Sequence, residues 1–431
     1  MSDGKLEEVR QNTLDKVKNQ LKISGTYALV FLKWIAISVL VGILGGVIGS
    51  VFHIAVDYVT EFRMHHGFMI LLLPLGGLAI AGMYHLFASK GKIDTNRVLE
   101  SVKENGKVPL IMVPLIFLAT VITHGLGGSA GREGAALQLG GGIGYNVGKA
   151  LRLKDKGIRI VVMAGMSSVF AALFGTPLTA AVFSLEVTCV GAFHYLGLLP
   201  CVVASLTAFQ VSQLFGIPPV RFSGILIEAV SLPLMAKVIV LALLCAVVSM
   251  LFCKSIHTCE HLMAKKIPNR YLRAVAGAVV IIFLTILVGS QDYNGAGMNI
   301  ITYAISGQAR PEAFLLKIVF TAITISAGFK GGEIVPAFFI GSTFGCVVGS
   351  LLGLDAGFAA AIGFVALFCG AVNCPLASIF LALEVFGAEG LAYFAVVCAV
   401  SYLMSGNFGL YHSQEIVFSK LDDEEVHAHT N

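Results

Sequence analysis

Charge is scarce in this sequence. Of 431 residues only 13% are Asp, Glu, Lys or Arg, while 57% are hydrophobic. A water-soluble domain carries about 25% charged residues, so a chain of this composition has too little polar surface to cover itself. The runs 34–56, 64–89, 160–185, 187–220, 274–291, 334–354, 356–383 and 390–414 hold no acidic or basic residue, and roughly 20 such residues cross a bilayer as a helix. The short alternating strands of a membrane β-barrel are missing as well. The expected fold class is therefore an all-α polytopic membrane protein. The nine cysteines are scattered singly with no CxxC pair, which argues against a disulfide framework or cysteine-bound metal. Residues 1–24 have no apolar core, so they form no signal peptide. A basic, soluble face with stacking aromatics is absent too, and no nucleic-acid partner is expected.

The few charges are informative by position. Lysines and arginines gather in 5–33, 149–159 and 254–273, and by the positive-inside rule these stretches face the cytoplasm. This reading puts the chain in the cell membrane as a multi-pass protein with both termini cytoplasmic and the bilayer as a partner. Residues 1–26 read as a cytoplasmic amphipathic segment, a short helix at the membrane surface, because Leu6, Val9, Leu14, Val17 and Leu21 recur at helical spacing. The tail 415–431, acidic and then histidine-bearing, is expected to be cytoplasmic and disordered, with no regulatory domain after the membrane part.

Glycine is what the sequence has in excess, 48 residues or about 11% against a usual ~7%. The densest cluster is Gly125–Gly142. A second, Gly328–Gly332, precedes Glu333-Ile334-Val335-Pro336. Segments 135–150 and 375–387 are short and bounded by Gly or Pro, as half-helices are. An internal repeat links these features: Pro177-Leu178 and Leu185-Glu186-Val187 recur 198 residues on as Pro375-Leu376 and Leu383-Glu384-Val385. Without a gap, the same shift lays Gly131–Ala135 over Phe329–Glu333. The membrane part thus divides into repeats at 27–216 and 217–414, and repeats of this kind are usually inverted, with broken helices meeting at the midplane.

Where glycines break a helix, the N–H groups of the next helix start are free, and its dipole favours an anion. The candidate anion-binding residues of the first copy are Gly131, Arg132, Gly134 and Ala135; Ile334 and Val335 belong to the second. Glu133 stands at this break, and an ionisable residue at membrane depth is functional by default. Its carboxylate is itself an anion, able to fill the site and to leave it when protonated. Glu333 is either a second acidic gate or a helix-start residue held by the dipole. Glu186 and Glu384, symmetric in the repeat, read as structural caps. Asp94-Thr95-Asn96 either lines a vestibule or caps a loop. His257 and His261 share a helix face beside Cys259 and Glu260, a spacing that suits a metal, but no further ligand is visible, so no metal and no cofactor is expected.

Gly131-Arg132-Glu133-Gly134, Gly331-Gly332-Glu333-Ile334-Val335-Pro336, the repeat and Gly409-Leu410-Tyr411 together resemble the CLC chloride channels and proton-coupled anion antiporters over residues 27–415. The resemblance implies an inverted repeat of broken and tilted helices, a homodimer with one pore per subunit, and halide and protons as substrates. It also implies Glu133 as gating glutamate and proton acceptor, Tyr411 as inner-gate tyrosine, and backbone contacts to the anion from Ile334 and Val335. Three departures from the chloride branch stand out. Lys92–Asn96 replaces the motif that supplies an anion-binding serine, Val187 replaces the inner proton-transfer glutamate, and Glu333 replaces an apolar residue. These look like the fluoride-exporting branch, although Val335 stands where that branch often places threonine. The expectation is a membrane transporter, not an enzyme: a proton-coupled fluoride antiporter, with a chloride-selective CLC channel or chloride/proton antiporter as the alternative.

Overall fold

A computed structural model describes residues 3–87, 94–103, 106–421 and 425–430. The apolar runs become helices. α1 (Asp3–His65) is followed, after a 3-10 segment at Gly67–Leu72, by α2 (Leu73–Phe87), α3 (Thr95–Lys103), α4 (Met112–Gly125), α5 (Glu133–Ala150), α6 (Asp155–Phe174), α7 (Pro177–Glu186) and α8 (Leu198–Leu214). The second half holds α9 (Leu232–Lys266), α10 (Arg270–Val288), α11 (Met298–Ile305), α12 (Ala313–Ser326), α13 (Ile334–Leu351), α14 (Ala356–Val372), α15 (Pro375–Phe386) and α16 (Leu391–Met404). Among the described residues seven helical segments are long and apolar enough to cross a bilayer, and α4, α12, α14, α15 and α16 are apolar but shorter. At 1.5 Å per residue the shorter ones reach only part of the way.

Turn chemistry produces the breaks. Gly175 ends α6 in the left-handed conformation (φ 68°), and Pro177 starts α7. Asn373 (φ 55°) and Pro375 do the same between α14 and α15. A proline cannot continue a helix, but its fixed φ suits a first turn. The helices on either side pack through glycine: a Cβ at Gly140 would lie 2.1 Å from the carbonyl oxygen of Gly165, and one at Gly341 2.2 Å from that of Gly363. These paired contacts seat α5 on α6 and α13 on α14.

Reciprocal hydrogen bonds relate the two halves. Glu186 accepts from the N–H groups of Leu376 (3.1 Å) and Ala377 (2.9 Å) at the start of α15. Glu384 accepts from Leu178 (2.9 Å) and Thr179 (2.8 Å) at the start of α7. Contacts in which each side does to the other what is done to it mark a two-fold relation. The fold is an inverted repeat of broken helices, as the sequence suggested.

Three expectations are corrected. The 198-residue register holds for α7 and α15 but not upstream, since α12 starts 201 residues after α4 (Ala313 against Met112) and α13 starts 201 after α5. The difference arises in α14, which has 17 residues where α6 has 20. Glu333 therefore corresponds to Arg132, and Glu133 to Ile334. Residues 3–26 are not a separate surface helix, because nothing between them and the first apolar run breaks the helix, and α1 is continuous. Nor are the described residues of the tail, 415–421 and 425–430, disordered: β1 (Cys189–Val190), β2 (Glu415–Phe418) and β3 (Glu425–His429) form one sheet in that order, with β2 and β3 antiparallel. Ile416 is fully buried there, and the open edge of β1 supplies the pairing that acidic composition conceals.

Candidate anion-binding site

Helices α5 and α13 begin side by side. Gly131 and Gly332, just before them, form an antiparallel bridge in which each N–H donates to the other's carbonyl, at 2.6 and 2.7 Å. No larger residue fits: a Cβ at Gly332 would lie 2.3 Å from the backbone nitrogen of Gly134, and one at Gly131 2.5 Å from Glu133 Oε2. In α5 the first N–H to bond back is that of Ala136, to Arg132; in α13 it is that of Ala337, to Glu333. The N–H groups of Glu133, Gly134 and Ala135 and of Ile334 and Val335 are left over, while Pro336 has none to offer. Two dipole ends thus meet at one place.

The carboxylate of Glu133 occupies that place. The residue is completely buried, and its Oε2 accepts from the Arg132 N–H at 3.0 Å. The N–H groups of Glu133 itself and of Val335 lie within electrostatic reach of the carboxylate. Oε1 has no hydrogen bond and lies 3.9 Å from Arg132 Nε. Arg132 therefore faces Glu133 with both its backbone N–H and its Nε, while its Nη1 reaches Asp57 at 2.9 Å and Asp57 in turn pairs with His53 at 2.9 Å. Gly131 is a correction, because its N–H is taken by Gly332 and it holds the helix starts together without facing an anion. Tyr411 is buried, its hydroxyl has no partner, and it lies within electrostatic reach of Glu133 and Glu333. Glu333 is the N-cap residue of α13, its carboxylate makes no cap hydrogen bond, and Lys330, Asp94 and Glu260 lie within electrostatic reach.

Around this centre the fold adds contacts that the sequence did not specify, first at Asp94-Thr95-Asn96. Thr95 Oγ1 donates to the Gly134 carbonyl (3.3 Å) and accepts from Gln138 Nε2 (3.1 Å). Asn96 Oδ1 accepts from the N–H and hydroxyl of Ser413 (3.1 and 2.9 Å). The start of α3 is thereby wedged between α5 and the Tyr411 segment, while Asp94 caps Arg97; Lys92 and Ile93 lie outside the described residues. Val187 is buried, and its carbonyl accepts from Gln414 Nε2 at 3.1 Å, so no inner carboxylate replaces the missing glutamate at that position. On the Arg132 side a cavity of 460 Å³ is lined by Asp57, Arg63, His124, Arg132, Asp292 and Asn294 among others. Arg63 is 4% exposed, with Nε and Nη1 unpartnered. Nearby, the buried Lys317 donates to the carbonyls of Tyr293 and Gly295 (3.2 and 2.7 Å). A gap in a hydropathy plot could have marked Lys317; only the fold brings it to Arg63.

A family model described as voltage gated chloride channel matches residues 76–406. The chain belongs to the CLC family. A chloride/fluoride channel protein from Pseudomonas syringae pv. tomato is 37% identical over 90% of this chain and 87% of its own length. An H(+)/Cl(-) exchange transporter ClcA from Vibrio vulnificus is 26% identical over 88% of each chain. Among solved structures, a CLC-type fluoride/proton antiporter superposes with a TM-score of 0.85 at 32% identity, covering 89% of this chain and 98% of that one. A slow cyanobacterial Cl-/H+ antiporter superposes with a TM-score of 0.72 at 19% identity, which supports the fold. The all-α membrane architecture of this CLC chain is thus the architecture of halide transporters.

Proposed function

We infer that the protein is a proton-coupled fluoride antiporter with Glu133 as gate and proton acceptor. The observation that carries this reading is the Glu133 carboxylate bonded by the Arg132 N–H at the start of α5, with the Val335 N–H of α13 within electrostatic reach. A halide entering that place competes with the carboxylate for the same donors. Protonation weakens the carboxylate's hold on N–H donors, which prefer an anion, so proton uptake and halide entry exchange for one another. Tyr411 offers its unpartnered hydroxyl to the halide from the other side, with Gly134, Ala135, Ile334 and Val335 as backbone donors. Glu333 serves as a second acidic gate at the inner mouth. Fluoride is favoured over chloride by Glu333 in the second motif, by the absence of the anion-binding serine, and by likeness to proteins named for fluoride. Val335 in place of threonine is the observation that keeps a chloride-transporting CLC as the second reading. Functionally the protein exports halide across the cell membrane as a homodimer, with termini and the Tyr411 mouth cytoplasmic.

The test is efflux from proteoliposomes loaded with fluoride or with chloride as sole anion, recorded together with pH. Fluoride efflux accompanied by proton uptake is expected, and Glu133→Gln should abolish it. Proton movement that persists unchanged in Glu133→Gln would sink the gate assignment, and equal coupled flux of chloride would move the protein to the second reading.

A further inference from the structure

We propose a second binding site, for a divalent transition-metal ion such as Zn²⁺, formed by His257, Glu260 and His412 at the mouth of the path beside Tyr411. His257 and Glu260 are one turn apart on α9, and His412 directly follows Tyr411. One ligand atom from each of the three lies within 4.8 Å of the other two, and the two imidazole rings are 3.8 Å apart at 40°. Tetrahedral coordination at about 2.0–2.2 Å places ligand atoms ~3.4 Å from one another. Rotations of Glu260 and His412, both exposed, close that difference.

His257 carries the argument. Its Nε2 is 2.7 Å from the carbonyl oxygen of Gly409. A carbonyl only accepts, so Nε2 bears the proton and Nδ1 keeps its lone pair. That Nδ1 is buried and has no hydrogen-bond partner. An imidazole that donates through one nitrogen to a backbone carbonyl and presents the other's lone pair is oriented as metal-ligating histidines are. Two imidazoles and one carboxylate suit Zn²⁺ and its transition-metal neighbours, whereas Mg²⁺ and Ca²⁺ take oxygen ligands. Three protein ligands leave the fourth position to water. The sequence shows only the α9 half of this set, since His412 comes from the far end of the chain.

A metal there ties α9 to the segment bearing Tyr411. It also draws on Glu260, which otherwise interacts with Glu333 and Lys330. The bound ion therefore slows turnover by holding the Tyr411 mouth in one position. This consequence, unlike binding itself, rests on the transport reading above.

Calorimetric titration of the metal-free, full-length protein in detergent with ZnCl2 should show one zinc per chain. Affinity should fall at least about tenfold, the loss that even an outer-shell partner's removal produces, in His412→Ala and in Glu260→Gln. His261→Ala, outside the cluster, should bind as the unsubstituted chain does. In proteoliposomes, zinc added on the Tyr411 side should lower fluoride efflux, relative to each protein's own metal-free rate, in the unsubstituted chain and His261→Ala but not in the other two; EDTA should restore it. Absence of saturable binding, or binding unaffected by both ligand substitutions, removes the site. Binding in the expected pattern with zinc-insensitive efflux removes the regulatory consequence. A metal-free protein that moves no fluoride counts against the transport reading, and the calorimetry still decides the site.

Discussion

At the scale of single residues, the proposed anion site depends on what is missing from two side chains. Gly332 approaches Gly134 so closely that a methyl group would meet its backbone nitrogen at 2.3 Å, and that atom belongs to the first turn of α5. Gly332→Ala must therefore part α13 from α5, at a cost typical of overpacking, about 1–3 kcal/mol, and it opens the gap between the N–H groups around Glu133. Halide efflux should be lost, and the melting temperature in detergent should fall. Gly82→Ala on α2 is the control: nothing lies within 4 Å of the new Cβ, and alanine is the better helix former, so efflux and stability should be unchanged or slightly improved. Equal behaviour of the two variants would show that the close approach of α5 and α13 does not matter. Glu133 was legible in the sequence because a carboxylate at membrane depth in a glycine-broken stretch is costly to bury, which outweighs the plainer reading of a structural pair with Arg132. Its partners were less so: that the Gly131 N–H is taken by a bridge, and that Thr95 touches the Gly134 carbonyl, depends on contacts the sequence does not spell out.

Helices are tied to one another by two carboxylates. Glu186 caps α15 and Glu384 caps α7, so each short helix has its free N–H groups satisfied by the end of the other. Replacing either glutamate by glutamine weakens two N–H bonds to a charged acceptor, and the loss of a cap costs about 0.5–2 kcal/mol. The two caps sit at opposite ends of an antiparallel pair, roughly 15 Å apart for ten residues of helix, and sites so separated add. Glu186→Gln and Glu384→Gln should each lower the melting temperature by a few degrees, and the double variant by the sum. A double variant no worse than the single ones would mean the caps act as one unit. This symmetry was readable from Pro-Leu and Leu-Glu-Val recurring in register. The three-residue difference upstream was not, because α14 is shorter than α6 by nearly one turn and, beyond the charged start of α6, both are apolar. Hydropathy cannot locate a deletion inside a run without landmarks. The tail failed as a prediction for a related reason: its acidity argues for solvation, whereas its strand pairing depends on β1, two residues long and more than two hundred residues earlier.

Across the whole molecule, the path is shaped by charges that come from distant elements. Arg63 at the end of α1, Lys317 on α12 and Arg132 before α5 gather near one cavity, yet they are far apart in sequence and each reads alone as an interruption of an apolar run. Family membership, all-α architecture and the broken helices were visible from one chain because they depend on local pattern. The convergence of these cations was not, because it depends on how the two repeats face each other. Arg132 is neutralised by Asp57 and Lys317 is bound by two carbonyls, whereas Arg63 keeps Nε and Nη1 unpartnered with 4% of its surface exposed. A cation in a low-dielectric cleft raises the local concentration of anions. Arg63→Met keeps much of the side-chain length and removes the charge, so it should raise the halide concentration for half-maximal flux measured from the cavity side, with a smaller change at saturation. The unsubstituted protein should lose part of this advantage as an inert salt is added, because mobile ions screen the attraction, and Arg63→Met should respond less. If instead the maximal rate collapses while the half-saturation point stays fixed, Arg63 is a structural support of α1 and the cavity gains nothing from its charge.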